Sequence, residues 1–151
     1  MPSRTHVLVQ FVSILALLAV AAPAGARRTT ASDLVHRLNV QRERAGLDPL
    51  RTDPRLRASA ARQSRRQLRH GYFGHGSSVL ASPRFRRLGE LLAREPGWHL
   101  RTGPIARGWR GSPSHNALVH SAGFQLVGVG WARGWLNGAQ TTIWTVHLGA
   151  R

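Results

Sequence analysis

The stretch FQLVGVGWARGWLNGAQTTIWTVHL, residues 124–148, decides the fold class. Its two ends, FQLVGVGWA at 124–132 and TTIWTVHL at 141–148, are rich in Val, Ile, Trp and Thr, the composition of strands. Between them, residues 134–138 end on Asn137-Gly138, a pair suited to the two left-handed positions of a tight hairpin turn. The spacing predicts an antiparallel hairpin. Upstream, the apolar period is helical instead. Leu34, Val35, Leu38 and Ala45 share a stripe, with Thr30 or Ser32 as N-cap, Asp33 in the first turn, and Gly46 then Pro49 as stops. That predicts a helix over 33–45. Asp53-Pro54 opens a second over 54–69, with Leu56, Ala60, Ala61, Ser64 and Leu68 on one face.

Residues 71–82 (GYFGHGSSVLAS) read as a loop. Residues 83–94 have helical character around Phe85, Leu88, Leu91 and Leu92, interrupted by Gly89, and Glu95-Pro96-Gly97 reads as a turn. Short helices are expected at 104–110, burying Ile105 and Trp109, and at 113–118 behind Ser112-Pro113. Two helices, a loop, short helical pieces and a hairpin make an α+β domain, with helices packed on a small antiparallel sheet.

The chain has 151 residues, which bounds it to one domain. It contains no cysteine, which excludes disulfides, thiolate metal sites and a Cys nucleophile. A 42% hydrophobic content is enough for a packed core. The start has the three regions of a secretory signal: a polar segment with Arg4, an apolar run from Val7 to Ala22, and the small residues Ala24-Gly25-Ala26. The expected organisation is a signal peptide at 1–26, a basic leader at 27–32 and the domain at 33–151. No transmembrane anchor is expected after cleavage, and the chain is expected to be secreted or periplasmic.

All 22 cations are arginine, against 6 acids, for a formal charge of +16. The arginines are scattered, adjacent only at 27–28, 65–66 and 86–87, and no nucleic-acid-binding motif accompanies them. Export also separates the chain from the genome, so specific nucleic-acid binding is not expected. Loose adhesion to an anionic envelope component needs no dedicated site.

Three segments carry the chemistry: 71–75 with His75, 88–93 with Glu90, and 108–116 with His115. In each, the His or Glu sits beside Gly, Pro or Ser, where the backbone can turn and present a side chain. Two imidazoles and a carboxylate suit a divalent metal such as zinc, and they also suit acid–base chemistry. Tyr72, Phe73 and Trp109 flank them. Trp131 and Trp144 are expected in the core and Trp135 exposed at the hairpin tip. His120 and His147 are expected at the surface or at a strand end. Ser112 is expected to be an N-cap rather than a nucleophile.

The segments resemble, in order, those of the CAP superfamily, also called the SCP domain. Leu38-Asn39-x-x-Arg42 with Ala45-Gly46-Leu47 resembles its opening helix, and Asp53-Pro54-x-Leu56 the start of its second. Tyr72-Phe73-Gly74-His75 resembles the F-S-H motif, Gly89-Glu90-Leu91-Leu92-Ala93 the G-E-N-[IL]-A motif, and Trp109-x-x-Ser112-Pro113-x-His115 the W-x-x-S-P-x-H motif. Phe124-x-x-Val127-Gly128-Val129-Gly130 and Trp144-Thr145-x-x-Leu148-Gly149 resemble its last strands. The resemblance implies an α-β-α sandwich in which His75, Glu90 and His115 converge in a central cleft. It departs where relatives place a second Glu, since Arg110, Gly111 and Ser112 stand there. Leu91 and Asn116 also replace the usual Asn and Arg.

These readings imply an exported, non-enzymatic binding module, with a lipid or other hydrophobic ligand and no required cofactor. Two alternatives are a metal-dependent hydrolase, with His75, Glu90 and His115 as ligands of zinc or another divalent metal, and a cationic envelope-active protein.

Overall fold

The computed structural model describes residues 29–76 and 84–151. The signal segment, Arg27-Arg28 and part of the 71–82 loop lie outside them. Four helices and four strands follow one another as α1 (Thr30–Arg44), β1 (Arg51–Thr52), α2 (Pro54–Arg69), β2 (Arg87–Pro96), α3 (Thr102–Gly111), α4 (Pro113–Val119), β3 (Leu126–Leu136) and β4 (Ala139–Ala150). The sheet order is β1-β3-β4-β2. Pairs β3–β4 and β2–β4 are antiparallel, and β1 runs parallel to β3.

Local chemistry explains most boundaries. Helix α1 starts three residues before the expected position, because the Thr29 hydroxyl accepts the Ser32 N–H. Gly46, at φ +71°, ends it as expected, with the Leu47 N–H closing on the Arg42 carbonyl. Helix α2 occupies the predicted span, capped by Asp53, whose Oδ1 accepts the N–H groups of Arg55 (2.8 Å) and Leu56 (3.3 Å). The hairpin turns at Asn137-Gly138, with φ +50° and +79°. Its strands run longer than expected: 134–136 belong to β3 rather than to the turn, and Phe124 precedes the strand.

Two expectations are corrected. The stretch 83–94 is not helical, since β2 pairs with β4 from Arg87–Ala150 to Pro96–Thr141. Leu88 packs toward α2 while Leu91 packs into the opposite core. Both faces of β2 are covered, so apolar residues fall at both parities and the period-two signal disappears. The sheet is also mixed rather than purely antiparallel. Strand β1 has two residues, too few to leave a periodicity.

The sheet is the middle layer of a sandwich. On one face α1, α3 and α4 bury Leu34, Leu38, Ile105, Trp109 and Val119 against Leu91, Val129, Trp144 and Val146. Helix α2 lies on the other face, at backbone contact distance. A Cβ at Gly128 would lie 2.0 Å from the Arg57 nitrogen, and one at Gly130 2.1 Å from the Ala61 nitrogen. These two β3 glycines are the seat of the helix.

Two α1 side chains hold the loops in place. Asn39 exchanges a pair of hydrogen bonds with the Leu50 backbone, at 3.0 and 2.8 Å. Arg42, only 2% exposed, donates to the carbonyls of Asp48 (2.8 Å), Val119 (2.7 Å), Ser121 (2.9 Å) and Phe124 (3.2 Å). One guanidinium thus ties α1 to the end of α4 and the approach to β3.

Candidate functional site

The loop after α2 is shaped by its glycines and by a buried glutamine. Gly71, at φ +65°, turns the chain, and the Tyr72 N–H closes on the Gln67 carbonyl at 3.0 Å. The Gln67 Oε1 then accepts the Gly74 N–H at 3.0 Å. That anchor delivers His75 to the edge strand β2, where its Nδ1 lies 2.8 Å from Glu90 Oε1. Glu90 sits at mid-strand, opposite His147 on β4. His147 Nε2 lies 3.0 Å from Glu90 Oε2, and its Nδ1 lies 2.7 Å from the Ser59 hydroxyl of α2.

The four side chains form one chain: Ser59, His147, Glu90, His75. Burial pushes the Glu90 carboxyl up, but hydrogen bonds and positive charge from His147 and His75 outweigh it and hold the group below its ordinary value. An ionised carboxylate only accepts, so His75 donates its Nδ1–H and His147 its Nε2–H. The Ser59 hydroxyl lies within reach of both His147 Nδ1 (2.7 Å) and the Leu56 carbonyl (3.0 Å), to which it donates. The chain runs from a buried hydroxyl to an imidazole that is 59% exposed.

His147 corrects the expectation of a surface or strand-end residue, because it is 2% exposed and central to this arrangement. A signal for it exists in the sequence. Alternation along TTIWTVHL puts Thr145 and His147 on the face opposite Trp144 and Val146. The serines of α2 meet that polar pair: Ser59 binds His147, and Ser64 donates to Thr145 at 2.9 Å.

His115 stands in the first turn of α4, and its Nδ1 lies 2.8 Å from the Ser112 hydroxyl. Ser112 holds the N-cap position, but its hydroxyl serves His115 rather than a backbone N–H. Burial lowers the His115 pKa, and repulsion from the nearby His75 lowers it further. His115 therefore lies near His75 without joining the Glu90 pair. Trp109 is buried, its indole N–H donating to the Leu92 carbonyl at 2.9 Å. A groove of about 510 Å³ runs beside these groups along β2, lined by Phe73, Leu92, Pro104, Ile105, Trp109 and His115 among others. Tyr72 is half-buried and does not line it, and Phe73 is the aromatic of that loop on the groove. As expected, Trp144 is fully buried and Trp135 is 60% exposed.

Three protein ligands are the usual minimum for a catalytic zinc. Both Glu90 oxygens are engaged by imidazoles, while His75 and His115 make these hydrogen bonds through Nδ1, which leaves Nε2 as the atom either would offer to a metal. Among the described residues no three His, Cys, Asp or Glu are grouped to hold an ion.

The shifts set a pH dependence. His115 is favoured neutral in the fold, so the unfolded chain binds more protons as pH falls below the ordinary His value of about 6.5, and stability drops. Glu90, with its value depressed, contributes stability that is present above about pH 4.3 and is lost as pH falls through its folded value. Melting temperature measured from pH 8 to 3 should fall in these two windows, and His115→Gln should remove the upper one alone. A His115→Gln profile that matches the parent would contradict the assignment.

Known proteins share both this architecture and its motif segments. Residues 35–148 match the family model CAP, described as the cysteine-rich secretory protein family. No curated protein sequence matches. Among solved structures, an outer surface protein from Borrelia burgdorferi superposes with TM-score 0.63 at 20% identity, covering 79% of this chain and 90% of that one. An extracellular SCP-domain protein from Bacillus anthracis gives TM-score 0.64 at 21% identity, covering 81% of this chain and 40% of that one. Venom allergen-like protein 4 from Schistosoma mansoni gives 0.63 at 11% identity, covering 83% and 92%. At these identities the likeness is one of fold, and it includes bacterial surface and extracellular proteins. The family match spans most of the sandwich and all three motif segments, and although it has no cysteine, this chain belongs to the CAP family.

Proposed function

We propose that this chain is an exported CAP-domain binding module, secreted or periplasmic, whose β2 groove takes a lipid or similar hydrophobic ligand. The observation that carries the reading is the groove itself. Phe73, Leu92, Pro104, Ile105 and Trp109 give it an apolar lining, with Arg94, Glu95, Arg101, Ser112 and His115 as its polar groups. Apolar walls with a few placed polar groups are the usual make-up of a small-molecule site. Phe73, 38% exposed, is a large apolar side chain left at the surface in the free protein. Arg94 stacks over it at 5.6 Å and supplies a cation for an acidic lipid head.

The polar chain holds the loop after α2 against β2. Glu90 orients His75 from below, and His147 with Ser59 fixes Glu90 from behind. His115, held neutral, adds a hydrogen-bonding edge without a charge to desolvate. The test is extraction of the purified chain with organic solvent and mass spectrometry of the extract. A stoichiometric bound lipid supports the reading, and a ligand-free chain that also fails to take up added lipid refutes it.

A further inference from the structure

The arginines of α2 are not evenly spread around its surface. Arg62, Arg66 and Arg69 stand at i, i+4 and i+7, which places them on one side of the helix. They border a cavity of about 250 Å³ that His70 also lines. Its floor is formed by Ser59 and His147, which are 3% and 2% exposed. No carboxylate lines it, and α2 contains no Asp or Glu. Among the described residues neither Arg66 nor Arg69 has an ion-pair partner. Glu90 lies beyond His147, with its charge already met by His147 and His75.

A concave site with guanidinium forks at its rim and a buried polar floor fits an anion with several acceptor oxygens. The polar floor disfavours an acyl chain, which distinguishes this cavity from the β2 groove. The cations at the rim exceed what one carboxylate would use. We propose that this α2 cavity binds a phosphate-type dianion, either free phosphate or the head of a phosphate-bearing lipid, with Arg66 and Arg69 as the principal ligands and His70 beside them. The ligand chemistry does not depend on the reading of the groove, and the two sites can fail separately.

The experiment is calorimetric titration of the full chain with inorganic phosphate at low ionic strength. Two double variants run beside it: Arg66→Gln with Arg69→Gln, and Arg55→Gln with Arg65→Gln. Both remove two exposed α2 charges, but only the first pair lines the cavity. The expected result is saturable binding that weakens about tenfold or more in the first variant and little in the second. Competition between phosphate and phosphatidic acid vesicles would assign the lipid head as the source. Phosphate binding with no vesicle binding would assign the free ion. No saturation by about 10 mM phosphate, or equal weakening in both variants as diffuse charge would produce, overturns the proposal.

Discussion

Replacing Gly130 by alanine should lower the melting temperature by roughly 10 °C or more. The added methyl would stand 2.1 Å from the Ala61 nitrogen and 2.5 Å from the Ala60 carbonyl carbon. Both are helix backbone, so no rotamer change relieves the clash. Either α2 lifts from the sheet or β3 bends. Overpacking a well-packed interior typically costs about 1–3 kcal/mol, and a rigid backbone neighbour puts this site at the upper end or beyond. Lifting α2 would also stretch the Ser59–His147 and Ser64–Thr145 hydrogen bonds, so the site should loosen with the fold. Gly108→Ala is the control. Gly108 sits in α3 with open space around its would-be Cβ, and alanine there should be neutral or stabilise by up to about 1 kcal/mol. A Gly130→Ala variant that melts within about two degrees of the parent would mean that α2 is not seated as described.

The second large effect is expected at Arg42. Its four carbonyl partners come from the loop after α1 and from the stretch 119–124, and methionine at this position would leave them without that donor in a buried setting. Burial draws the guanidinium pKa down, while the Asp48 charge pulls it back up. Charge therefore matters less here than the planar fork, which reaches three directions at once. Arg42→Met should cost about 3–5 kcal/mol in urea unfolding, on the scale of losing one side of a buried polar network. Arg42→Lys should recover only a minor part, because a point cation cannot span the same carbonyls. A Lys variant as stable as the parent would show that the charge alone suffices.

Much of this molecule was legible because local signals agreed with tertiary ones. Helix α2 carries its own cap, Asp53-Pro54, and its own stop at Gly71. The hairpin carries Asn137-Gly138 and two strand-like flanks. Strand β2 was not legible. Leu88, Leu91 and Leu92 sit at helical spacing, and only the partner β4 makes a strand of them. Strand β1 was below the length at which periodicity exists. In the site, His75 and Glu90 announced themselves by their glycine-flanked motifs, and the structure pairs them. His147 carried only the fainter sign of alternation along β4. Its role comes from register, which sets it across from Glu90, and from α2, whose Ser59 rises beneath it. Neither is visible in the strand alone.

The central claim is that the β2 groove is a hydrophobic site, and Phe73 tests it most directly. Phe73 lines the groove, is partly exposed, and lies outside both buried core clusters, so Phe73→Ser should leave the fold intact. Titration of a long-chain fatty acid, followed by tryptophan fluorescence, should give saturable binding to the parent chain. Phe73→Ser should weaken it about tenfold, the effect of removing one well-buried aromatic contact, with the melting temperature unchanged. Equal binding by both proteins, or no saturable binding by either, would contradict the claim.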